Sequence, residues 1–225
     1  MRISKTQNGA TTKYYWDRGY ISNESAGEDF ITNYIGVNGI FARESGENTD
    51  YFFKNGHGDV TGIVRDGEVI KTYDYDAYGK EINPDPADTN PFRYCGEYYD
   101  TESGQLYLRN RYYNSSIPRF MTPDPHWNTA NMVYGDKEYQ EGEVRIPNIS
   151  AIIQSNNLYN YCMNNPLYYV DLLGELAFPG QVHNWVVNYI GKKYYYYVEQ
   201  TILYKDGGWG RADLISETGN VWDVK

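Results

Sequence analysis

The sequence predicts a mainly β protein made of antiparallel β-hairpins, followed by a small α+β segment. The 225 residues include 26 Tyr and 22 Gly but only 7 Phe, a composition that suits short pleated strands and tight turns. Strand-like runs of Tyr, Ile, Val and Thr alternate with turn signals at intervals of roughly ten residues. After Gly174 a helix-like pattern is followed by three further strand-like runs, and these predict the α+β segment.

The first part of the chain, from residue 11 to about residue 82, indicates successive hairpins of one antiparallel sheet. The turns are predicted at residue pairs that contain glycine. They are Asn38-Gly39, Asn55-Gly56, Gly58-Asp59, Asp66-Gly67 and Tyr78-Gly79. Recurring Tyr-x-x-Asp and Tyr-Asp units indicate a degenerate internal repeat of about twenty residues.

Two local patterns predict elements in the middle of the chain. The run QLYLRNRYYN at 105–114 alternates as one strand would, with Leu106 and Leu108 on one face and Arg109 and Arg111 on the other. The apolar run ISAII, preceded by Asn, predicts a short helix at 149–155.

The same part of the chain resembles a known family. The runs YDYDAYGK, NPFRYCGEYYDTESGQLYLRNRYYNSSIPRFMTPDP and NNLYNYCMNNPLYYVDLLGE follow one another within about residues 50–175, and they look like the RHS repeat-associated core domain. That domain closes the tyrosine–aspartate (YD) repeat shell of bacterial RHS and wall-associated toxins. The resemblance implies terminal YD-repeat strands at 1–50, an RHS core at 51–175 and a truncated toxin segment at 176–225. It also implies a spiral β-sheet that encloses the toxic segment.

Several members of this family cut themselves with an aspartyl-protease-like pair of motifs. Here the resemblance implies Asp124, in PDPHW, and Asp171, in VDLLGEL, with a cut near Leu176. Leu172 replaces the proline, and Glu175 the leucine, of the self-cleaving pattern. Two carboxyl groups that share a proton would be the physical basis of such cleavage. The alternative is that both aspartates only cap turns.

The last fifty residues predict a helix followed by three strands. FPGQVHNWVVNYIGKK at 178–193 has apolar residues at helical spacing, with Pro179 suited to a first turn. The runs KYYYYVEQTILYKDGG, WGRADLIS and NVWDVK are strand-like. If the last two pair as a hairpin, Asp213 and Asp223 come from neighbouring strands, and Asp223 and Lys225 share one face.

Two carboxylates and a lysine at one sheet edge form a site for a hard cation such as Mg²⁺. This arrangement resembles the PD-(D/E)XK nuclease superfamily, members of which occur as toxins attached to RHS cores. By that resemblance Asp213 is the first acid, Asp223 the second acid and Lys225 the motif lysine, and Glu199 is a candidate additional metal ligand. Ala212 stands where the motif has proline. The alternative is a plain surface hairpin with a solvated terminal lysine.

The resemblances together predict a fragment of a polymorphic toxin whose parent is a Mg²⁺-dependent nuclease that acts on DNA or RNA. A nuclease of this kind needs further elements after the motif lysine, so we expect the 225 residues alone to have little or no nuclease activity. Expected partners of the parent are the nucleic acid, a cognate immunity protein and the upstream YD-repeat shell. Two alternatives remain: a structural or cell-surface binding shell without catalysis, and a self-cleaving core.

The charge distribution limits the function classes. The formal charge is −10, and residues 176–225 contribute five basic and five acidic side chains, so the first 175 residues carry the excess. Such a surface does not coat nucleic acid. No secretory leader and no apolar run of about 20 residues are visible. By resemblance the parent is secreted or wall-associated, although the fragment has no export signal of its own.

The cysteines and histidines predict no metal site of their own. His57, His126 and His183 are far apart in sequence, and no Cys/His cluster occurs. Cys95 and Cys162 can be free thiols or a disulfide. Neither a phosphate-binding glycine loop nor a GxSxG motif is present.

Overall fold

The computed structural model describes residues 1–36, 39–171, 174–175, 178–179, 197–203, 209–215 and 221–222. Within these residues the protein consists mainly of antiparallel strands that pair with their neighbours in sequence. This confirms the predicted fold class. No helix in the described part of the chain has the length and apolar character needed to cross a bilayer.

The largest sheet is a meander of eight strands, each paired with the next. Its strands are β1 (Ser4–Gln7), β2 (Ala10–Asp17), β3 (Tyr20–Ala26), β4 (Asp29–Gly36), β5 (Gly39–Ser45), β6 (Asn48–Lys54), β7 (Val60–Arg65) and β8 (Glu68–Thr72). Asp66 and Gly67, between β7 and β8, both have positive φ. A two-residue turn of this kind matches the twist of the strands that it joins. The turn predicted at Asp66-Gly67 is therefore confirmed.

The internal repeat is visible in the geometry of this sheet. The strand register shifts after Tyr15, Tyr34 and Phe53, at intervals of about twenty residues. The residue just before each of these three is buried, whereas the three themselves are exposed. A bulge strengthens the local twist, so each repeat adds a similarly bent hairpin. The domain boundary predicted at residue 50 lies inside β6, and the three-part division stays a prediction.

Shorter strands continue the chain after the meander. They are β9 (Asp74–Tyr75), β10 (Glu81–Ile82), β11 (Tyr98–Asp100), β12 (Gln105–Leu108), β13 (Arg111–Asn114) and β14 (Arg119–Phe120). Strands β11 to β14 form a four-stranded sheet. The prediction of a single strand at 105–114 is therefore wrong. The chain reverses at Arg109, which has a φ of 58°, and Leu108 pairs with Arg111.

Two apolar clusters form the core of the described part of the chain. One packs β5, β6 and β7 against residues 73 and 92, and consists of Ile40, Phe52, Val60, Ile63, Tyr73 and Phe92. The other packs β12, β13 and β14 against residues 94, 161 and 162, and consists of Tyr94, Leu106, Leu108, Tyr113, Phe120, Tyr161 and Cys162. Aromatic residues are three of the six in the first cluster and four of the seven in the second, and three of those four are tyrosines, so tyrosine supplies much of the buried surface under the four-stranded sheet.

The remaining elements are short. Helix α1 (Ile149–Ser155) begins where predicted, and the Asn148 side chain accepts the Ala151 amide hydrogen. The later strands are β15 (Tyr169–Val170), β16 (Phe178–Pro179), β17 (Tyr197–Leu203), β18 (Trp209–Ile215) and β19 (Val221–Trp222). Strands β17, β18 and β19 correspond to the three predicted strands, and they form one antiparallel sheet. The first two residues of the helix predicted at 178–193 are instead β16, and the rest of it lies outside the described residues.

Candidate functional site

Two aspartates that are distant in sequence meet at one buried arginine. Nη2 of Arg111 lies 2.8 Å from Oδ2 of Asp124 and 3.4 Å from Oδ2 of Asp171. The exposed fractions of the three side chains are 2%, 8% and 2%. Because both carboxylates contact the same nitrogen, they lie within a few ångströms of each other. The fold thus brings together the two residues predicted for self-cleavage and places Arg111 between them.

Strand ends and backbone hydrogen bonds hold the three charged groups in place. Arg111 is the first residue of β13, and its guanidinium lies 3.5 Å from the centroid of the Phe120 ring. Its Nη1 donates a hydrogen bond of 3.1 Å to the Leu158 carbonyl. The same carbonyl accepts the amide hydrogen of Asp124, at 2.8 Å. Asp171 follows β15 directly, so a strand end positions its carboxylate, whereas Asp124 lies four residues after β14 and is held by its backbone hydrogen bond to Leu158.

Each aspartate also caps a turn. Oδ1 of Asp124 accepts the His126 amide hydrogen at 2.9 Å, and Oδ1 of Asp171 accepts the Glu175 amide hydrogen at 3.1 Å. Both aspartates therefore accept the turn hydrogen bonds that the alternative predicts, but turn capping is not their sole contact, because both also pair with Arg111. Each carboxylate uses one oxygen for the turn and the other for Arg111.

Hydrogen bonds hold both the carbonyl oxygen and the amide hydrogen of the peptide unit that joins Gly174 to Glu175. Nε of Arg111 donates to the Gly174 carbonyl at 2.5 Å, while Asp171 accepts the Glu175 amide hydrogen. Gly174 has a φ of 66°, and a Cβ added there would lie 2.5 Å from the Leu108 carbonyl oxygen. Only glycine fits this position without a shift of the backbone.

Burial controls the ionisation of the site. It raises the pKa of Asp124 above the ordinary value, and the nearby Arg111 charge opposes this only in part. Burial also lowers the pKa of Arg111, which Asp124 and Asp171 counteract. A carboxyl group that keeps its proton to higher pH than in water is suited to proton transfer.

A small polar pocket opens beside the two aspartates. Its lining includes Trp127, Cys162, Met163 and Glu175. Cys162 and Met163, with the next residue Asn164, form a turn in which all three have positive φ. Left-handed backbone costs an L-residue roughly 1–2 kcal/mol, and such strain collects at functional sites.

The predicted nuclease residues are only partly within the described structure. Glu199 is in β17 and Asp213 is in β18, and the register of the pairs on either side places these two positions opposite each other. Strand β19 pairs with β18, as the predicted hairpin requires. Asp223 and Lys225 lie outside the described residues, so the metal and catalytic assignments stay predictions.

A second cluster was missed by the sequence. Nδ1 of His57 lies 2.9 Å from Oδ1 of Asp59 and 3.7 Å from Sγ of Cys95. The prediction that no Cys/His cluster exists is wrong, because the turn between β6 and β7 meets the 3₁₀ turn Tyr94–Gly96. The sequence signal was limited to a His-x-Asp spacing in a glycine-rich turn. Cys95 and Cys162 are both free thiols.

In comparisons with known proteins, the chain is similar in sequence to part of several much longer nucleases. Over 179 residues, 76% of the chain, it is 31% identical to the tRNA3(Ser)-specific nuclease WapA of Bacillus spizizenii and 30% identical to the tRNA nuclease WapA of Bacillus subtilis. The chain spans only 7% of the length of each of these relatives. This similarity supports the resemblance to an RHS-type toxin fragment.

Other comparisons add less. No family model matches the chain. A solved structure, the TcdB2-TccC3-Cdc42 complex, is similar over 76% of this chain and 8% of the matched chain, with a TM-score of 0.47 and 19% identity.

Proposed function

We propose that the chain is the closing part of the shell of a bacterial polymorphic toxin, and that it cuts its own backbone beside Glu175 to separate the shell from the segment that follows. The observation that carries this proposal is the meeting of Asp124 and Asp171 at Arg111, next to the peptide unit of Gly174. Similarity to the WapA nucleases supports the toxin context, and the meander of repeated hairpins supports a shell.

The cleavage is a hydrolysis of one of the two peptide bonds of Glu175. Water attacks the carbonyl carbon, and one carboxylate of the pair accepts its proton. The other carboxyl group, protonated, donates a proton to the departing nitrogen as the C–N bond breaks. The raised pKa of Asp124 favours keeping one proton on the pair, and Asp171 is the carboxyl group that contacts the Glu175 nitrogen. The Arg111 hydrogen bond polarises the Gly174 carbonyl.

Intact mass spectrometry of the purified chain tests the cleavage. We expect two products whose masses place the cut beside Glu175, and we expect Asp171→Asn and Asp124→Asn to leave the chain whole. Glu141→Gln is the matched control, because it removes the charge of an exposed carboxylate. An uncut wild-type chain after long incubation, or the same cut in Asp171→Asn, would contradict the proposal.

We further propose that residues 176–225 belong to a metal-dependent nuclease of the parent toxin. Asp213, Asp223 and Glu199 would bind Mg²⁺, and Lys225 would position the attacking water or stabilise the charge that develops on the phosphate. The facing positions of Glu199 and Asp213 support this assignment. The names of the WapA relatives favour tRNA among the expected DNA or RNA substrates.

Cleavage of purified tRNA by the full-length parent tests this assignment. Asp213→Asn should remove the activity, and Asp206→Asn is a control that neutralises a neighbouring acid. Full activity in Asp213→Asn would exclude the assigned metal site. A parent that harms target cells equally well with Asp213→Asn would instead favour a binding shell without catalysis.

We also propose that the parent is secreted or wall-associated and that a cognate immunity protein neutralises its C-terminal segment. Expression of residues 176 onward of the parent, with and without the product of the adjacent gene, tests this pairing. Equal toxicity in both cultures would contradict it.

A further inference from the structure

The cluster of His57, Asp59 and Cys95 lies where two turns meet. The first two residues belong to the turn between β6 and β7, and Cys95 belongs to the 3₁₀ turn Tyr94–Gly96. One ligand atom from each side chain lies within 4.8 Å of the other two. Imidazole, carboxylate and thiolate are ligands that zinc binds in proteins.

The hydrogen bond on the far side of the ring determines which nitrogen is free. Nε2 of His57 lies 2.9 Å from the Pro166 carbonyl oxygen. A carbonyl can only accept, so Nε2 carries the hydrogen. In the neutral ring the lone pair is therefore on Nδ1, which faces Asp59 and Cys95. Histidines that bind metals commonly donate their other ring hydrogen to a carbonyl in this way.

The separation between the nitrogen and sulfur ligand atoms matches a tetrahedral ion, and the nitrogen and oxygen atoms need to move apart by about 0.4 Å to bind one. With ordinary zinc bond lengths, nitrogen and oxygen ligands lie about 3.3 Å apart and nitrogen and sulfur ligands about 3.6 Å apart. The observed distances are 2.9 Å and 3.7 Å. We propose that His57, Asp59 and Cys95 bind one zinc-type divalent ion, with water in the fourth position.

The surrounding contacts hold the ligands in position. Oδ1 of Asp59 accepts the Cys95 amide hydrogen at 2.9 Å, and Oδ2 accepts from the Asn55 side chain at 2.8 Å. Asn55 in turn accepts the amide hydrogens of His57 and Asp59, both at 3.0 Å. Cys95 has a φ of 53°, which is rare for a residue with a side chain. Outer partners that orient the ligands in this manner are typical of metal sites.

The geometry does not suit a catalytic cysteine. In a nucleophilic triad, the nucleophile and the carboxylate contact different nitrogens of the histidine. Here Asp59 and Cys95 share Nδ1, and a backbone carbonyl occupies Nε2. The His57 side chain is 20% exposed, which leaves an ion a route to the site. The thiolate ligand selects a transition metal over Mg²⁺.

Cobalt(II) absorption tests the proposal on the full chain. Co²⁺ replaces Zn²⁺ and gives a thiolate charge-transfer band in the near ultraviolet when a cysteine binds it. We expect this band in the wild type at one ion per chain, and we expect zinc to displace the cobalt. Cys95→Ser should abolish the band, while Cys162→Ser, which alters the other free thiol, should keep it. A carboxylate site in the C-terminal segment would not give this band.

A second variant separates loss of the ligand from loss of the fold. His57→Asn should weaken cobalt binding at least tenfold, with a circular dichroism spectrum like that of the wild type. In addition, EDTA should lower the melting temperature of the zinc-loaded wild type. No thiolate band in the wild type, an undiminished band in Cys95→Ser, or equal affinity in His57→Asn would overturn the proposal.

Discussion

Replacement of Arg111 by methionine tests the electrostatic account of the aspartate pair. Methionine fills much of the same volume but removes the cation that lies between Asp124 and Asp171. The hydrogen bonds from the guanidinium to the Gly174 and Leu158 carbonyls disappear as well. The variant therefore leaves two buried carboxylates close together without a counterion.

The expected loss of stability is large for a single substitution. Removal of one partner of a buried ion pair costs about 3–5 kcal/mol. In addition, two unit charges about 5 Å apart repel by about 3 kcal/mol at an effective dielectric constant of about 20. Protonation of one carboxyl group limits the sum, so we expect Arg111→Met to lower the free energy of unfolding by about 3–5 kcal/mol at neutral pH.

Urea unfolding followed by circular dichroism measures this loss. Adding Asp171→Asn to Arg111→Met should restore about 2–3 kcal/mol, because the repulsion between the carboxylates is then absent. Arg119→Met, at an exposed position of β14, should change the stability by less than about 0.5 kcal/mol. The electrostatic account fails if Arg111→Met costs under about 1 kcal/mol, or if Asp171→Asn restores nothing.

Three further predictions follow from single contacts. Gly174→Ala should cost at least about 1 kcal/mol more than Gly67→Ala, since both have positive φ but only Gly174 would place its Cβ against a carbonyl; equal losses in urea unfolding would argue against the clash. Asn148→Ala should cost about 1 kcal/mol through the lost helix cap, and Asn148→Asp should not; thermal unfolding distinguishes the two. The raised pKa of Asp124 means that the folded chain holds this proton more tightly, so its contribution is present below about pH 4 and is lost as the pH rises through the folded pKa. Asp124→Asn should remove this pH dependence from the free energy of unfolding measured as a function of pH. An unchanged pH dependence would contradict a raised pKa for Asp124.

Local signals predicted the elements that depend on neighbouring residues. The pair Asp66-Gly67 requires positive φ and forms a tight turn, and Asn148 caps the helix that it precedes. The prediction of one strand at 105–114 was wrong for an equally local reason. Its reversal occurs at Arg109, and no glycine marks the turn. Alternation of side chains alone does not distinguish one long strand from two short ones.

The candidate sites could be predicted only where a family resemblance identified the residues. Asp124 and Asp171 were found in this way, whereas Arg111 was assigned to a strand face without a partner. Its two ion pairs join β13 to residues that follow other strands. The contact between His57 and Cys95 likewise depends on how two turns pack. Neither contact has a signature in sequence spacing, because tertiary structure brings the groups together.

Both clusters act on the same segment of the chain, residues 158–175. Its described residues, 158–171 and 174–175, contain little regular structure, so their backbone carbonyls need partners from elsewhere. His57 supplies one at Pro166, and Arg111 supplies another at Gly174. A cut beside Glu175 would leave these carbonyls, and both aspartates, on the shell side of the break. His57 and Arg111 also lie on the shell side, so the shell should keep its fold after cleavage. Strand β16 pairs with β15, so cleavage removes the covalent link to the residues that follow and leaves this pairing as a contact between the two products.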